Sequence, residues 1–355
     1  MHRVMIQPAD YQNCLAAVKT AFELFPLGVR GKKVLVKPNA LRTSNPAEAI
    51  VTNTAVLRAV VQCIEELNPA KIIVGDNTGL LSYGANEDCF RQTGLYEASL
   101  GHYQNIGLDA VEVNFNPEYV NRLSISRAVL EADVIISIPK FKTHGLTILT
   151  GAIKNSYGIL LGAQKAALHK LAGIPAQFQE LIVDVFRLRI PDLFIMDAVI
   201  GMEGNGPASP DLRSIGQILA SDNAVALDAT MARMMGLDPG LLRFLKKAKA
   251  LGLGDYDETA IEIIGELTPI PDFKLPPLSG EAVTQSTFYQ ELIHSRTLLR
   301  PRPDPEKCTG CGTCSEQCPA SAISMESGLP QINTNDCITC FCCQEMCPEK
   351  AITLK

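Results

Sequence analysis

Tryptophan is absent from this 355-residue chain, and histidine occurs only five times. No indole is present to stack on a flavin ring, and no G-x-G-x-x-G run marks a dinucleotide site. These absences weaken flavin or nicotinamide binding without excluding it. Basic excess is missing too: 32 Lys and Arg face 38 Asp and Glu, for a net charge of −6. That balance excludes a strongly basic nucleic-acid binder, which needs cations to meet phosphates. Long apolar runs are also missing. The longest, at 193–201, falls far short of the roughly 20 residues a membrane span needs. The N-terminal MHRVMIQPADY has no apolar core of a secretory signal. The expected location is therefore the reducing cytoplasm, where twelve cysteines are metal ligands rather than disulfides. With 46% hydrophobic and 20% charged residues, the chain is expected to fold rather than stay disordered.

Nine of the twelve cysteines lie between positions 308 and 347. Cys308, Cys311, Cys314 and Cys318 form C-x2-C-x2-C-x3-C, followed by Pro319. Cys337, Cys340, Cys343 and Cys347 repeat the spacing, followed by Pro348. Each ligand recurs 29 residues later, as does Ala322-Ile323 at Ala351-Ile352, so this segment is a duplicated unit. Three thiolates from one tight loop grip three irons of a cube, and the fourth cysteine reaches the neighbouring cube. The expected cofactors are two 4Fe–4S clusters. Cys308, Cys311, Cys314 and Cys347 hold one, and Cys337, Cys340, Cys343 and Cys318 hold the other. A pair of zinc sites is the weaker reading, since zinc usually takes two CxxC pairs across a longer loop. Cys342 stands outside the pattern. The segment resembles the bacterial two-cluster ferredoxins over 304–355, with all eight ligand positions and both prolines matched. The resemblance implies two clusters at low potential, close enough for fast electron transfer.

The first 270 residues alternate short apolar runs with helical patterns. Strands are expected at 34–37, 71–75, 110–115, 133–138, 193–197, 216–220 and 262–264. Helices are expected at 11–24, 54–67 (capped by Asn53), 87–100, 177–188, 224–235 and 241–251. Continuous apolar strands such as VIISI indicate burial on both faces. The expected fold is α/β, a mostly parallel sheet with flanking helices, plus a small α+β ferredoxin-like C-terminal domain. TPIPDFKLPPLSG reads as an extended connector. The expected division is 1–270 for the α/β domain, 271–303 for the Pro-rich connector and 304–355 for the ferredoxin domain.

Ligands of open α/β sheets bind beyond the carboxyl ends of the strands. Lys37 and Asn39 follow one expected strand, and Asp76 and Asn77 another. Lys140, Lys142 and His144 follow a third, and Asp197, Glu203 and Asn205 follow a fourth. The glycine-bracketed run TGAIKNSYGILLG adds Lys154 and Asn155. Any one of these residues suits an ordinary loop. Together, lysines and amides suit an anionic ligand, with Asp76, Asp197 and Glu203 open to a cation or a proton. His144 is the expected acid or base, with Lys142 beside it. His169, His102 and His294 are read as structural or exposed.

The segments LVKPN, VGDN, SIPKFKTH, GAIKNSYG, GMEGNGP and SDNAVALD occur in order between Leu35 and Asp228. They resemble the prokaryotic family known as domain of unknown function 362, whose members often end in a ferredoxin. The label implies no particular reaction. The expectation is an iron–sulfur oxidoreductase or electron-transfer protein. Its ferredoxin module relays electrons to or from an anionic small molecule in the α/β domain, with an unidentified redox protein as partner. The alternatives are a carrier and docking module without its own chemistry, and a non-redox cofactor-assembly protein with structural clusters.

Overall fold

The computed structural model describes residues 1–79, 84–172, 175–276 and 300–354. Strands β1 (His2–Pro8), β2 (Lys33–Pro38) and β3 (Lys71–Val74) come first. β4 (Ala110–Asn114) and β5 (Arg122–Ser126) form a separate antiparallel hairpin. β6 (Val134–Ile138), β7 (Lys140–His144), β8 (Ile148–Thr150), β9 (Leu193–Met202), β10 (Leu212–Ser221) and β11 (Ile261–Ile264) follow. The nine-stranded sheet runs β11-β1-β10-β9-β6-β2-β3, with β7 beside β9 and β8 beside β7. The β2–β3, β2–β6, β6–β9, β7–β9 and β1–β11 pairings are parallel. β1–β10, β9–β10 and β7–β8 are antiparallel.

Alternation along the strands builds two cores. Val34 and Val36 of β2 enter one, and Leu35 enters the other. In β6, Val134, Ile136 and Ile138 join Val34, while Ile135 joins Leu35. Side chains two apart share a face, so a strand covered on both faces is apolar throughout. Helices Cys14–Leu24 and Thr54–Glu66 cover one face; Pro175–Leu188 and Ala224–Met234 cover the other. Asn53 caps its helix by accepting from the Ala55 amide.

Three local expectations change. The helix expected at 87–100 is two helices, Ala85–Gln92 and Leu95–Ala98, separated at Gly94, whose φ of 76° is left-handed. The strand at 110–114 leaves the main sheet for the β4–β5 hairpin. Residues 140–144, read as a loop after β6, form the fully buried strand β7. Its lysines obscure the period-two pattern because their ammonium groups find partners inside the protein.

The C-terminal unit pairs β12 (Pro301–Pro303) with β15 (Ile352–Leu354), and β13 (Ile323–Glu326) with β14 (Leu329–Ile332). Two short helices, Thr313–Glu316 and Cys342–Met346, follow the first turns of the two cysteine runs. The duplication extends to the backbone. Gly310 and Thr339 (φ 71° and 54°), Gly312 and Phe341 (77° and 61°), and Ser321 and Lys350 (both 52°) are left-handed at the same 29-residue offset. Glycine holds this conformation freely, whereas Thr339 and Phe341 hold it at about 1–2 kcal/mol each. Packing compensates at Phe341, whose buried ring lies against Gly145 and joins a core of the main sheet. Around it, Lys350 pairs with Glu48 at 2.8 Å, and buried Arg42 donates to the Glu345 carbonyl at 3.2 Å. Gln344 donates to the Asn205 carbonyl at 3.1 Å.

Of the expected connector, Phe273 packs edge-on to Phe141 and Lys274 donates its amide to Glu203. Residues 277–299, which include most of the expected connector and His294, lie outside the described residues.

Candidate functional site

The C-terminal unit meets the large sheet at the carboxyl ends of β2, β3 and β6, around about 690 Å³ of empty space. Asn39 follows β2, Asp76 and Asn77 follow β3, and β7 contributes Lys142 and His144. Lys154, Asn155 and Tyr157 come from the glycine-bracketed run. Helix Gly162–Ala172 adds Lys165 and His169, one turn apart on one face. The facing wall is Gln317, Cys342, Glu345 and Met346.

Two buried lysines, Lys142 and Lys165, and the half-buried Lys154 share this cavity with the buried carboxylates of Glu345 and Asp76, the latter paired with Lys37. Lys142 donates to the Ile50 carbonyl at 2.7 Å. Burial, with Lys140 nearby, pulls its pKa down to about 7. Lys165 donates to the carbonyls of Asn77 and Thr78, and burial pulls it to about 7 as well. Lys154 lies over the rings of Tyr157 (4.3 Å) and Phe178 (5.0 Å), and burial lowers it to about 8. Across the cavity, burial raises Glu345 to about 7 against the pull of Lys154 and Lys142.

The two histidines are held as neutral rings. His144 Nδ1 accepts from the amides of Leu146 (3.1 Å) and Thr147 (3.4 Å), which places its proton on Nε2, 3.3 Å from Glu345 Oε1. Burial, with Lys154 near, holds its pKa well below the ordinary value. His169 Nδ1 donates to the Lys165 carbonyl at 2.7 Å, so Nε2 is a bare acceptor, with no partner among the described residues. Asn39 Oδ1 and Thr150 Oγ1, also from residues on this wall, likewise have no partner among the described residues. Buried polar atoms are nearly always paired, so a group of orphans at one cavity marks a place for a ligand or water.

Close backbone approach shapes the floor. Buried Asp228 accepts from the amides of Ala152 (2.6 Å) and Ile153 (3.0 Å), fixing the helix turn that carries Lys154. Burial raises its carboxyl to about 7. At Gly158 a Cβ would stand 2.1 Å from Asp76 Oδ1 and 2.5 Å from Lys37 Nζ. Those groups form a 2.8 Å buried pair and have nowhere to retreat. Gly158→Ala is therefore expected to cost about 1–3 kcal/mol, read by urea denaturation. Gly28→Ala, with only Lys32 Nζ at 3.8 Å, should leave stability almost unchanged.

Not every expected residue reaches this cavity. Lys37 lies beneath it, paired with Asp76. Lys140 pairs with Asp197 at 2.7 Å, and Asp197 also takes hydrogen bonds from Tyr11 and the Asn53 amide. Both are buried, away from the cavity wall. Glu203 pairs with Arg213 at 3.0 Å, and Asn205 meets the C-terminal unit through its backbone carbonyl. Conversely, His169 is a cavity residue rather than a purely structural one. Lys165 and Glu345 join it without having been expected. The four-residue step between Lys165 and His169 was the available signal for those two. Glu345 gave none, because its role depends on how two units meet.

Several cysteines of the C-terminal unit lie close together. Cys308, Cys311, Cys314 and Cys347 line one hollow of about 320 Å³. Burial raises the Cys343 thiol well above its ordinary pKa, and Cys340, Cys337, Cys318 and Cys314 raise it further. Four cysteines lining one hollow are the residue type an iron–sulfur cube takes, although among the described residues their side chains are not drawn together around a single metal position.

Residues 300–348 match the 4Fe-4S dicluster domain, which supports a capacity for iron–sulfur electron transfer. A thylakoid-associated protein of Synechocystis sp. is 31% identical over 287 residues, covering 76% of this chain and 85% of that protein. Two solved structures are more distant, both at 12% identity. A Thermotoga maritima protein aligns with TM-score 0.41 over 69% of this chain. The lactate racemase apoprotein of Thermoanaerobacterium thermosaccharolyticum aligns with TM-score 0.40 over 63%. The chain spans 60% and 54% of those two proteins. Among the described residues, no helix is long and apolar enough to cross a membrane. Residues 34–233, more than half of the sequence, match the model for DUF362, and the chain belongs to that domain-of-unknown-function family, with an iron–sulfur module at its C-terminal end.

Proposed function

We propose that this chain is an iron–sulfur oxidoreductase of a reducing compartment. Its C-terminal module passes electrons between an external redox protein and an anionic ligand held in the cavity. In this reading the module, 304–355, holds two 4Fe–4S clusters. Cys308, Cys311, Cys314 and Cys347 bind one; Cys337, Cys340, Cys343 and Cys318 bind the other. Residues 1–270 hold the ligand, and 271–303 connect the two. One observation carries the proposal: Cys342, adjacent in sequence to Cys343, lines the same cavity as Lys142, Lys154 and Lys165. A ligand resting on those lysines lies one residue from a cluster ligand.

The clusters supply single electrons. The chain's own residues do the rest. Lys142, Lys154 and Lys165 hold the anion. Asn39 and the bare Nε2 of His169 accept from its hydrogen-bond donors. His144 and Glu345 stand where a proton can follow an electron. Native mass spectrometry of protein isolated without oxygen is expected to show two clusters and a further bound anion. Lys142→Met with Lys154→Met should lose the anion and keep the clusters. Clusters alone in the unaltered protein would overturn the enzyme reading and leave an electron carrier.

The lysines also set a pH dependence. Lys142 and Lys165 are charged below pH 7 and neutral above it, with Lys154 following near 8. Lys140, Arg42 and Glu345 face Lys142; Asp76, Lys37, Lys154 and Cys89 face Lys165. Affinity for sulfate, whose own charge is constant here, is expected to be highest below pH 7, where the lysines are charged and the facing Glu345 is neutral. Above that it falls, by up to about tenfold per unit for each lysine that must regain a proton. Calorimetric titration between pH 6 and 9 reads this. Stability of the ligand-free protein should move the other way. An unfolded lysine keeps its proton to about pH 10.4, so stability rises with pH from 7 towards that value.

A further inference from the structure

The cations on the cavity wall can only give hydrogen bonds. Lys142, Lys154 and Lys165 are donors alone, and His144 carries its ring proton on Nε2. His169 is set the opposite way. Its Nδ1 lies 2.7 Å from the Lys165 carbonyl, which only accepts, so Nδ1 holds the ring proton and Nε2 keeps a lone pair. The ring cannot turn away. Its centroid is 4.2 Å from that of Phe178 and 5.5 Å from that of Tyr157, whose hydroxyl donates to the same carbonyl at 2.9 Å. Burial, with Lys154 near, takes the ring's pKa down to about 3, so it stays neutral around pH 7. The side chain lines the cavity at 7% exposure, and Nε2 has no partner among the described residues. Asn39 Oδ1 is a second acceptor in that condition, its Nδ2 being taken by Asn155 at 3.0 Å. An amide can be turned end for end, so Asn39 decides less than His169, whose acceptor is fixed by a carbonyl.

We infer that the cavity takes an oxyanion that keeps an O–H of its own, and that His169 Nε2 receives that hydrogen. Hydrogen phosphate has this chemistry, and so does a carboxylate with a hydroxyl beside it. The inference rests on the reading that the cavity holds an anion. The lysines are satisfied by any anion. His169 is not. An oxygen without a hydrogen, brought against Nε2, sets lone pair against lone pair and leaves a buried nitrogen unpaired. An O–H at that place makes the missing bond. His169 is thus the residue that tells the two kinds of anion apart, as a group placed to meet a hydroxyl rejects the analogue that lacks it.

The test is calorimetric titration of the full chain, prepared without oxygen, with phosphate and with sulfate at about pH 8. The two anions share a shape and carry nearly the same charge there, but only phosphate carries a hydrogen. Phosphate should bind about tenfold tighter. His169→Phe keeps a ring against Phe178 and removes the acceptor, so phosphate should weaken about tenfold while sulfate holds. Lys165→Met leaves the backbone carbonyl at that position in place and should weaken both anions by one factor. Glycolate against acetate puts the same question to a carboxylate. Preference in that pair alone would place the O–H on the neighbouring carbon; preference in the phosphate pair alone would place it on the anionic group. Equal binding within both pairs would overturn the proposal, as would equal losses of phosphate and sulfate in His169→Phe. The comparison in the unaltered chain stands whether or not that variant folds. Binding of none of the four anions would instead overturn the anion reading beneath it.

Discussion

Stripping the iron from the intact protein is expected to unfold residues 300–354 while the nine-stranded sheet stays folded. The C-terminal unit has its own core of Cys314, Ile323, Cys343, Cys347, Ala351 and Ile352. Half of those residues are proposed metal ligands, leaving three aliphatic side chains to hold a segment of two short ribbons and two short helices. So small a core does not outweigh the conformational entropy of the segment. Where ligands cannot assemble without the ion, binding free energy is folding free energy. Hydrogen exchange before and after chelation reads the effect. Amides of β12–β15 should lose nearly all protection, and those of β2, β6 and β9 should keep theirs. A C-terminal unit that stays protected without iron would show that its fold does not depend on clusters.

The second large effect is expected at Lys140. Removing one partner of a buried ion pair leaves the other charge without compensation and costs about 3–5 kcal/mol. In Lys140→Met, Asp197 would remain fully buried with only Tyr11 and backbone amides as donors. Urea denaturation should show that loss, with any cavity ligand still bound in the folded fraction. Lys154→Met should give the reverse pattern. Lys154 has no carboxylate partner within ion-pair distance among the described residues, so its loss relieves a half-buried charge and removes ligand binding. If Lys140→Met instead lost ligand at unchanged stability, Lys140 would belong with the ligand-holding residues.

These two lysines also mark how far the sequence could be read. The cluster module was legible because covalent chemistry fixes ligand spacing within a few residues, and the duplication repeated the message. The sheet was legible where apolar runs were continuous, as in β2 and β6. The rule that ligands sit beyond strand ends led to Asn39, Asn77, Lys142 and His144, which do line one cavity. The same rule could not separate Lys142 from Lys140. Both follow β6 in one short segment, and only the fold shows that one meets Asp197 while the other meets a backbone carbonyl. Strand β7 was missed for the same reason. Its polarity is satisfied by residues far away in sequence, so its local pattern resembles a loop. The wall formed by Gln317, Glu345 and Met346 depends on contact between two segments far apart in sequence, which no local pattern encodes.

The left-handed Phe341 makes the two halves of the duplicated module unequal in what they can fit. One half carries glycine at that place and presents nothing outward. The other carries a ring that enters the sheet's own core beside Gly145. A freely diffusing ferredoxin with glycine in both halves would bring no plug for that socket. Seating at the cavity is then a matter of identity as well as proximity. The module is thus shaped to its seat on one side, while Cys311 stays exposed on the other.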